Sequence, residues 1–243
     1  MSHISFVVPV YQRPELLSEL VRRVQAAVAL LDCASEIILV DDCSQNDSWS
    51  IVKKLRSQYP LVVKGLRMPQ NMGQHTAALV GLREAQGFWC VVLDQDLQDP
   101  PETVATLLQA AKGYDVVFGG RRGVYQALGR TFSGRSYRSL LSWLVSVPEN
   151  AGMFFAIRRD AVERLLDLRV VSVSLVAMIG LANLKCCSCP TERARSKTTT
   201  YTTLLRIGAG LRMLRCVAEQ RLNLVPKPIR HRIELVHCGL EAA

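Results

Sequence analysis

Five short runs in the first 120 residues, at 4–10, 36–40, 61–67, 88–93 and 115–119, are dominated by Val, Ile, Leu and Phe with no regular polar alternation. A strand that is apolar on both faces needs cover on both faces. The intervening stretches supply it. Residues 14–31 set Leu17, Leu20, Val21, Val24, Val28 and Leu31 on one helical face. Residues 47–59 read as a helix capped by Asp47, and residues 74–86 as one that packs through Ala77, Ala78, Gly81, Leu82 and Ala85. Pro101 stands at the first position of a fourth helix, which runs to about Gly113. Strand and helix in strict alternation predict an α/β fold, a doubly wound parallel sheet with helices on both faces. Ligands of such sheets bind beyond the carboxyl ends of the strands.

The pattern loosens after residue 121. Residues 137–147, 160–168 and 203–219 read as helices and 153–157 as a strand. Residues 184–189 read as an edge strand stopped by Pro190. No repeat, low-complexity linker or composition break divides the chain, so its 243 residues are expected to form one domain. Hydrophobic residues at 49% suffice for a large core and exclude disordered and fibrous classes.

Charge does divide it. Residues 1–120 hold 10 Lys/Arg against 13 Asp/Glu, net −3, and residues 121–243 hold 20 against 8, net +12. The basic half is expected to meet phosphates, nucleic acid or an anionic membrane surface. The start lacks a basic segment followed by a long apolar one, so it does not read as a secretory signal. No uncharged stretch exceeds the 15 residues of 170–184, short of the roughly 18 that span a bilayer. These features predict a cytoplasmic protein, soluble or peripheral on the inner face of the membrane. The 8 cysteines read as free thiols, and Cys186-Cys187-Ser188-Cys189 has no second cluster to complete a zinc site.

Three strand ends carry the chemistry. They are Pro9-Val10-Tyr11-Gln12-Arg13-Pro14-Glu15, Val40-Asp41-Asp42-Cys43-Ser44-Gln45-Asn46-Asp47 and Leu93-Asp94-Gln95-Asp96-Leu97-Gln98-Asp99-Pro100-Pro101-Glu102. Two carboxylates at i and i+2, where a strand gives way to a loop, can turn toward one hard cation such as Mg²⁺ or Mn²⁺. The plainer reading of Asp94-Gln95-Asp96 is a solvated turn before the Pro101 helix. Asp41-Asp42 can accept hydrogen bonds from a base or ribose, or complement the N-terminus of the following helix. His75 reads as a capping or packing residue.

In order and spacing these segments resemble the family 2 glycosyltransferases of the GT-A fold, and most of all the polyprenyl-phosphate glycosyltransferases of the dolichyl-phosphate mannose synthase-like group. Val8-Pro9-Val10-Tyr11, Asn71-Met72-Gly73-Gln74-His75-Thr76-Ala77-Ala78, Gly81, Ala85 with Gly87, and Gly119-Gly120-Arg121-Arg122 extend the likeness across residues 4–122. The resemblance implies a Rossmann-like, mostly parallel sheet. Residues 1–122 would form a nucleotide-sugar-binding half, and 123–243 a basic acceptor-binding half of the same domain. It implies a metal-dependent inverting transfer from a nucleotide-sugar to a polyprenyl phosphate, with Mg²⁺ or Mn²⁺ as cofactor. Pro9, Tyr11, Glu15, Asp42 and Asp94 would bind the donor nucleotide, and Asp94, Asp96 and Gln98 the metal. Asp94, Asp96 and Arg121 would be the catalytic groups, Arg121 near phosphate.

Arg122, Arg193, Arg195 and Lys197 are candidates for the acceptor phosphate. The family's Arg, Gly and Ser-Lys-Tyr are only partly kept here: Thr191 stands at the Arg position, Ala194 at the Gly, and Thr198 after Ser196-Lys197. A phosphate acceptor is already ionised and needs no general base, and residues 145–165 offer only Glu149 and Asp160 for that task. The basic helix at 203–219 suits a membrane surface or a membrane-anchored partner. The competing readings are the same fold acting on a glycan hydroxyl in cell-surface polysaccharide synthesis, a catalytically silent relative, and a basic nucleic-acid-binding protein. No nucleic-acid-binding motif supports the last, and no nucleic-acid partner is expected.

Overall fold

The structure is a computed structural model that describes residues 3–121, 145–191, 203–238 and 240–243. Its strands are β1 (Ile4–Val10), β2 (Ser35–Asp41), β3 (Val63–Arg67), β4 (Trp89–Val92), β5 (Val116–Arg121), β6 (Phe155–Arg158), β7 (Cys186–Thr191) and β8 (Glu241–Ala242). Its helices are α1 (Leu17–Ala29), α2 (Ser48–Gln58), α3 (Gln74–Glu84), α4 (Val104–Gln109), α5 (Arg159–Leu166), α6 (Leu175–Leu181), α7 (Thr203–Arg221) and α8 (Ile229–Cys238). The strands form one sheet in the order β7-β5-β6-β4-β1-β2-β3-β8, drawing on both halves of the chain.

The pleat sorts the strand residues between two cores. Val7, Ile38, Val40, Cys90 and Val92 pack beneath α3, α5 and α6. Phe6, Val8, Ile37, Leu39 and Val91 pack against α1, α2 and α4. This is why the strands read as apolar runs without alternation: both of their faces are buried.

Several expectations are corrected. The expected mostly parallel sheet is present, with its fifth strand set apart from the fourth. β6 inserts between them, antiparallel to both β4 and β5, while β5 pairs in parallel with β7. Six strands thus run one way, and β6 and β8 run against them. β7 continues through Pro190, which an edge strand tolerates, since among the described residues its outer side has no ladder to complete. The helix expected over 14–31 opens with a 3₁₀ turn at Pro14–Leu16, and another at Pro101–Thr103 precedes a short α4. Asp47 holds the N-cap position of α2 but makes no side-chain cap. Asn46 Oδ1 does so instead, accepting the Ser48 N–H at 3.1 Å and the Ser48 hydroxyl at 2.7 Å. The uncharged stretch at 170–184 contains α6, and α8 and β8 are not among the expected elements. Most of the helix expected at 137–147 lies outside the described residues. Among the described residues no helix is long and apolar enough to cross a membrane.

Candidate active site

The loops that leave β1, β2 and β4 meet at the carboxyl edge of the sheet. Each contains a non-glycine residue in the left-handed region: Gln12 at φ 55°, Cys43 at φ 57° and Leu97 at φ 58°. Side chains other than glycine adopt that conformation only where the surroundings dictate it, and such backbone clusters at functional sites. Here the surroundings are a cross-loop hydrogen-bond network. Gln95 Oε1 accepts the Tyr11 N–H at 3.1 Å, and Gln95 Nε2 donates to the Tyr11 carbonyl at 2.6 Å. Ser44 Oγ accepts the Gln12 N–H at 3.1 Å, and the buried Asp41 carboxylate accepts the Ser44 N–H at 3.3 and 3.4 Å. Gln95 entered the sequence reading only as the spacer between two aspartates, yet it ties β4 to β1.

Pro9 is buried within β1 opposite Val40, two residues past Val7, where the pairing with β4 ends. Its missing N–H therefore breaks no ladder. Tyr11 is 42% exposed on the rim, and Glu15 is exposed in the turn before α1.

The two adjacent aspartates have separate partners. Asp41 faces Arg67, whose Nε lies 3.3 Å from it and whose Nη2 donates to the Ser44 carbonyl at 3.2 Å. Asp42 is buried and turns to the segment before α3, accepting the Met72 N–H through Oδ1 and the Gly73 N–H through Oδ2, both at 2.8 Å. Burial pushes its carboxyl above the usual range against the opposing pull of those two donors. Both oxygens of this donor-pocket candidate are thus engaged in fixing a loop. That loop presents Gly73 at φ 86° as the N-cap of α3, and Gln74, the first helical residue, donates through Nε2 to Asp94 Oδ1. His75 Nδ1 accepts the Leu175 N–H at 3.3 Å, which caps α6 from another element. Burial, with the nearby positive charge of Arg212, lowers its pKa to about 4 and keeps the ring neutral.

Asp94, Gln95, Asp96 and Gln98 are all partly exposed at this edge. Asp96 Oδ1 accepts the Gln98 N–H at 3.0 Å, so the backbone of Gln98, not its side chain, meets the aspartate. No described residue pairs with Asp96 Oδ2. Among the described residues no three His, Cys, Asp or Glu side chains gather closely enough to hold a metal by themselves. Arg121 ends β5, and Arg122, Arg193, Arg195 and Lys197 lie outside the described residues.

The antiparallel course of β6 separates the two base candidates. β6 ends at Arg158 opposite Trp89, the amino end of β4, so Asp160 lies at the far edge of the sheet. There it binds Arg158 Nε at 2.8 Å, which holds its carboxyl below the usual range. Glu149 precedes β6 on the near edge, where the neighbouring Asn150 packs against Gly120 at the end of β5.

The profile of glycosyl transferase family 2 matches residues 5–166. The undecaprenyl-phosphate 4-deoxy-4-formamido-L-arabinose transferase of Pseudomonas syringae pv. syringae is 41% identical over 115 residues, 47% of this chain and 34% of the relative. Its namesake from Pseudomonas paraeruginosa is 36% identical over 169 residues, 68% of this chain and 50% of the relative. The chain thus spans between a third and a half of the length of these two relatives.

Solved structures agree on the GT-A fold. Mannosyl-3-phosphoglycerate synthase from Rubrobacter xylanophilus superposes with a TM-score of 0.63 at 15% identity, over 92% of this chain and 74% of its own. Glucosyl-3-phosphoglycerate synthase from Mycobacterium tuberculosis, solved with Mn²⁺, UDP-glucose and phosphoglyceric acid, gives 0.60 at 19% identity, over 90% and 79%. The family match runs from β1 through α5 and takes in all three strand-end motifs, and on that ground the chain belongs to glycosyl transferase family 2.

Proposed function

We propose that the chain transfers a sugar from a nucleotide-sugar to a polyprenyl phosphate, with residues 1–122 holding the donor and residues 123–243 the acceptor. The observation that carries this is that the β1, β2 and β4 loops and the Asn71–Gln74 segment are tied to one another at the carboxyl edge where Asp94 and Asp96 stand. The names of the curated relatives, two undecaprenyl-phosphate sugar transferases, supply the acceptor class.

Asp94 and Asp96 fit a hard divalent cation. Their carboxylates stand two residues apart on the exposed edge, Asp96 with one oxygen open among the described residues. A pair of carboxylates suits Mg²⁺ or Mn²⁺, which bind through one or two carboxylates and complete their shell with substrate phosphate and water. Held there by Asp94 and Asp96, such an ion would supply positive charge to offset that of the departing nucleoside diphosphate. Gln74 orients Asp94, and the Gln98 N–H orients Asp96. Tyr11 offers an exposed ring at the rim, beside the loop that Gln95 clamps.

A phosphate acceptor arrives ionised and needs positioning rather than deprotonation. Basic residues beyond Arg121 would supply it, giving an inverting displacement without a protein base. Helix α7 exposes Leu211 (62%) and Leu214 among its arginines, and Leu222 and Leu224 follow. Apolar and cationic side chains together suit peripheral binding at an anionic bilayer.

The test is incubation with labelled nucleotide-sugars, Mn²⁺ and undecaprenyl phosphate in anionic vesicles. Label should enter the organic phase. Label appearing only in water-soluble oligosaccharide would select a glycan hydroxyl as acceptor, with Glu149 as the base to test; no transfer from any donor would refute the proposal.

A further inference from the structure

Helix α7 reads in sequence as a basic surface helix, yet one of its arginines turns toward the site. A methyl group on Gly73 would lie 3.3 Å from Arg212 Nη1, and the Arg212 charge is felt at His75. Gly73 is the N-cap of α3, held by Asp42, and the next residue, Gln74, binds Asp94. The guanidinium of a residue 139 positions further along the chain is therefore brought to the loop that orients a proposed metal-binding aspartate.

Its electrostatic setting is unusual. Arg215, one turn on, pairs with Glu219 at 2.9 Å, whereas Arg212 has no ion-pair partner among the described residues. It stands instead beside the positive end of the α3 dipole, an unfavourable place for a cation that an anion would relieve. Arg212 is also exposed, so a ligand can reach it. An arginine fork suits phosphate oxygens best.

We infer that Arg212 is a phosphate-binding residue of this site, contacting either the donor diphosphate or the acceptor phosphate. The assignment rests on the transferase reading above. Losing one charge-assisted contact weakens binding by about tenfold to a hundredfold.

The test compares the wild-type chain with Arg212→Ala and Arg212→Lys by titration calorimetry with Mn²⁺ and nucleoside diphosphates, and by the undecaprenyl phosphate KM in the transfer assay. A weaker nucleoside diphosphate Kd in Arg212→Ala assigns the residue to the donor. A raised acceptor KM with unchanged nucleotide Kd assigns it to the acceptor. In either case Arg212→Lys should recover part of the loss, which a purely structural role would not predict. Unchanged Kd and KM in Arg212→Ala overturn the inference. If the wild type neither binds nucleotide nor transfers sugar, the transferase reading has failed, and inorganic pyrophosphate alone then decides. Binding that Arg212→Ala abolishes upholds the residue's role, and absent or equal binding overturns it. Should Arg212→Ala not fold, Arg212→Gln replaces it in every arm.

Discussion

Asp42 shows how much a single carboxylate can organise. It is buried, and its two oxygens hold two consecutive backbone N–H groups that would otherwise be left without acceptors. Asp42→Ala should therefore cost about 2–5 kcal/mol, read as a lowered urea midpoint, with nucleotide binding falling because the Gly73–Gln74–Asp94 chain loosens. Were Asp42 instead a direct contact to the base, affinity would fall with stability unchanged. The sign of its pH effect follows from its raised pKa. The unfolded chain releases this proton first, so the Asp42 contribution to stability falls as pH rises between the unfolded and native pKa, and Asp42→Asn removes that dependence. At this scale the sequence was legible in part. Asp42, Asp94 and Asp96 stand out because carboxylates at strand ends are chemically conspicuous. Gln95, Ser44 and Arg67 do not, because their roles depend on which loops the sheet order makes neighbours, and no local pattern encodes that.

Among the elements, α3 has the tightest seat. It buries seven consecutive residues, Thr76 to Leu82, because the sheet lies beneath it and α5, α6 and α7 surround it. A side chain at Gly81 would place its Cβ 2.5 Å from Val7 Cγ1 and 3.0 Å from Val40 Cγ2, both on central strands. Gly81→Val should force the helix off the sheet and destabilise by about 1–3 kcal/mol or more. For a chain of this size each kcal/mol lowers Tm by roughly 2–4 °C, so differential scanning fluorimetry checks it, and an unchanged Tm would contradict the packing described. Gly81 already stood on the expected packing face, as did the strands β1 to β4. What periodicity could not reveal was the direction of β6, whose apolar residues suit either course, and β8, which is two residues long and pairs with Leu66 and Arg67 across the whole chain.

At the scale of the molecule the charge division acquires a geometry. Asp42, Asp94 and Asp96 of the front half sit where β2 and β4 end, and Arg212 of the back half comes close to Gly73 at the same rim. Strands from the −3 half and from the +12 half share one sheet, so the charge division does not mark two separate sheets. Fold class was readable because doubly covered strands leave a strong sequence signal, whereas acceptor identity was not, since specificity at phosphate depends on side chains converging from distant segments. The decisive property of this edge is whether it binds a nucleoside diphosphate together with a divalent cation. Thermal unfolding with a panel of nucleoside diphosphates, with and without Mn²⁺, measures this directly. At least one nucleotide should raise Tm only when Mn²⁺ is present, and Asp96→Ala should abolish that rise while leaving the ligand-free Tm near wild type. A panel without any Mn²⁺-dependent shift, or an equal shift in Asp96→Ala, would contradict it.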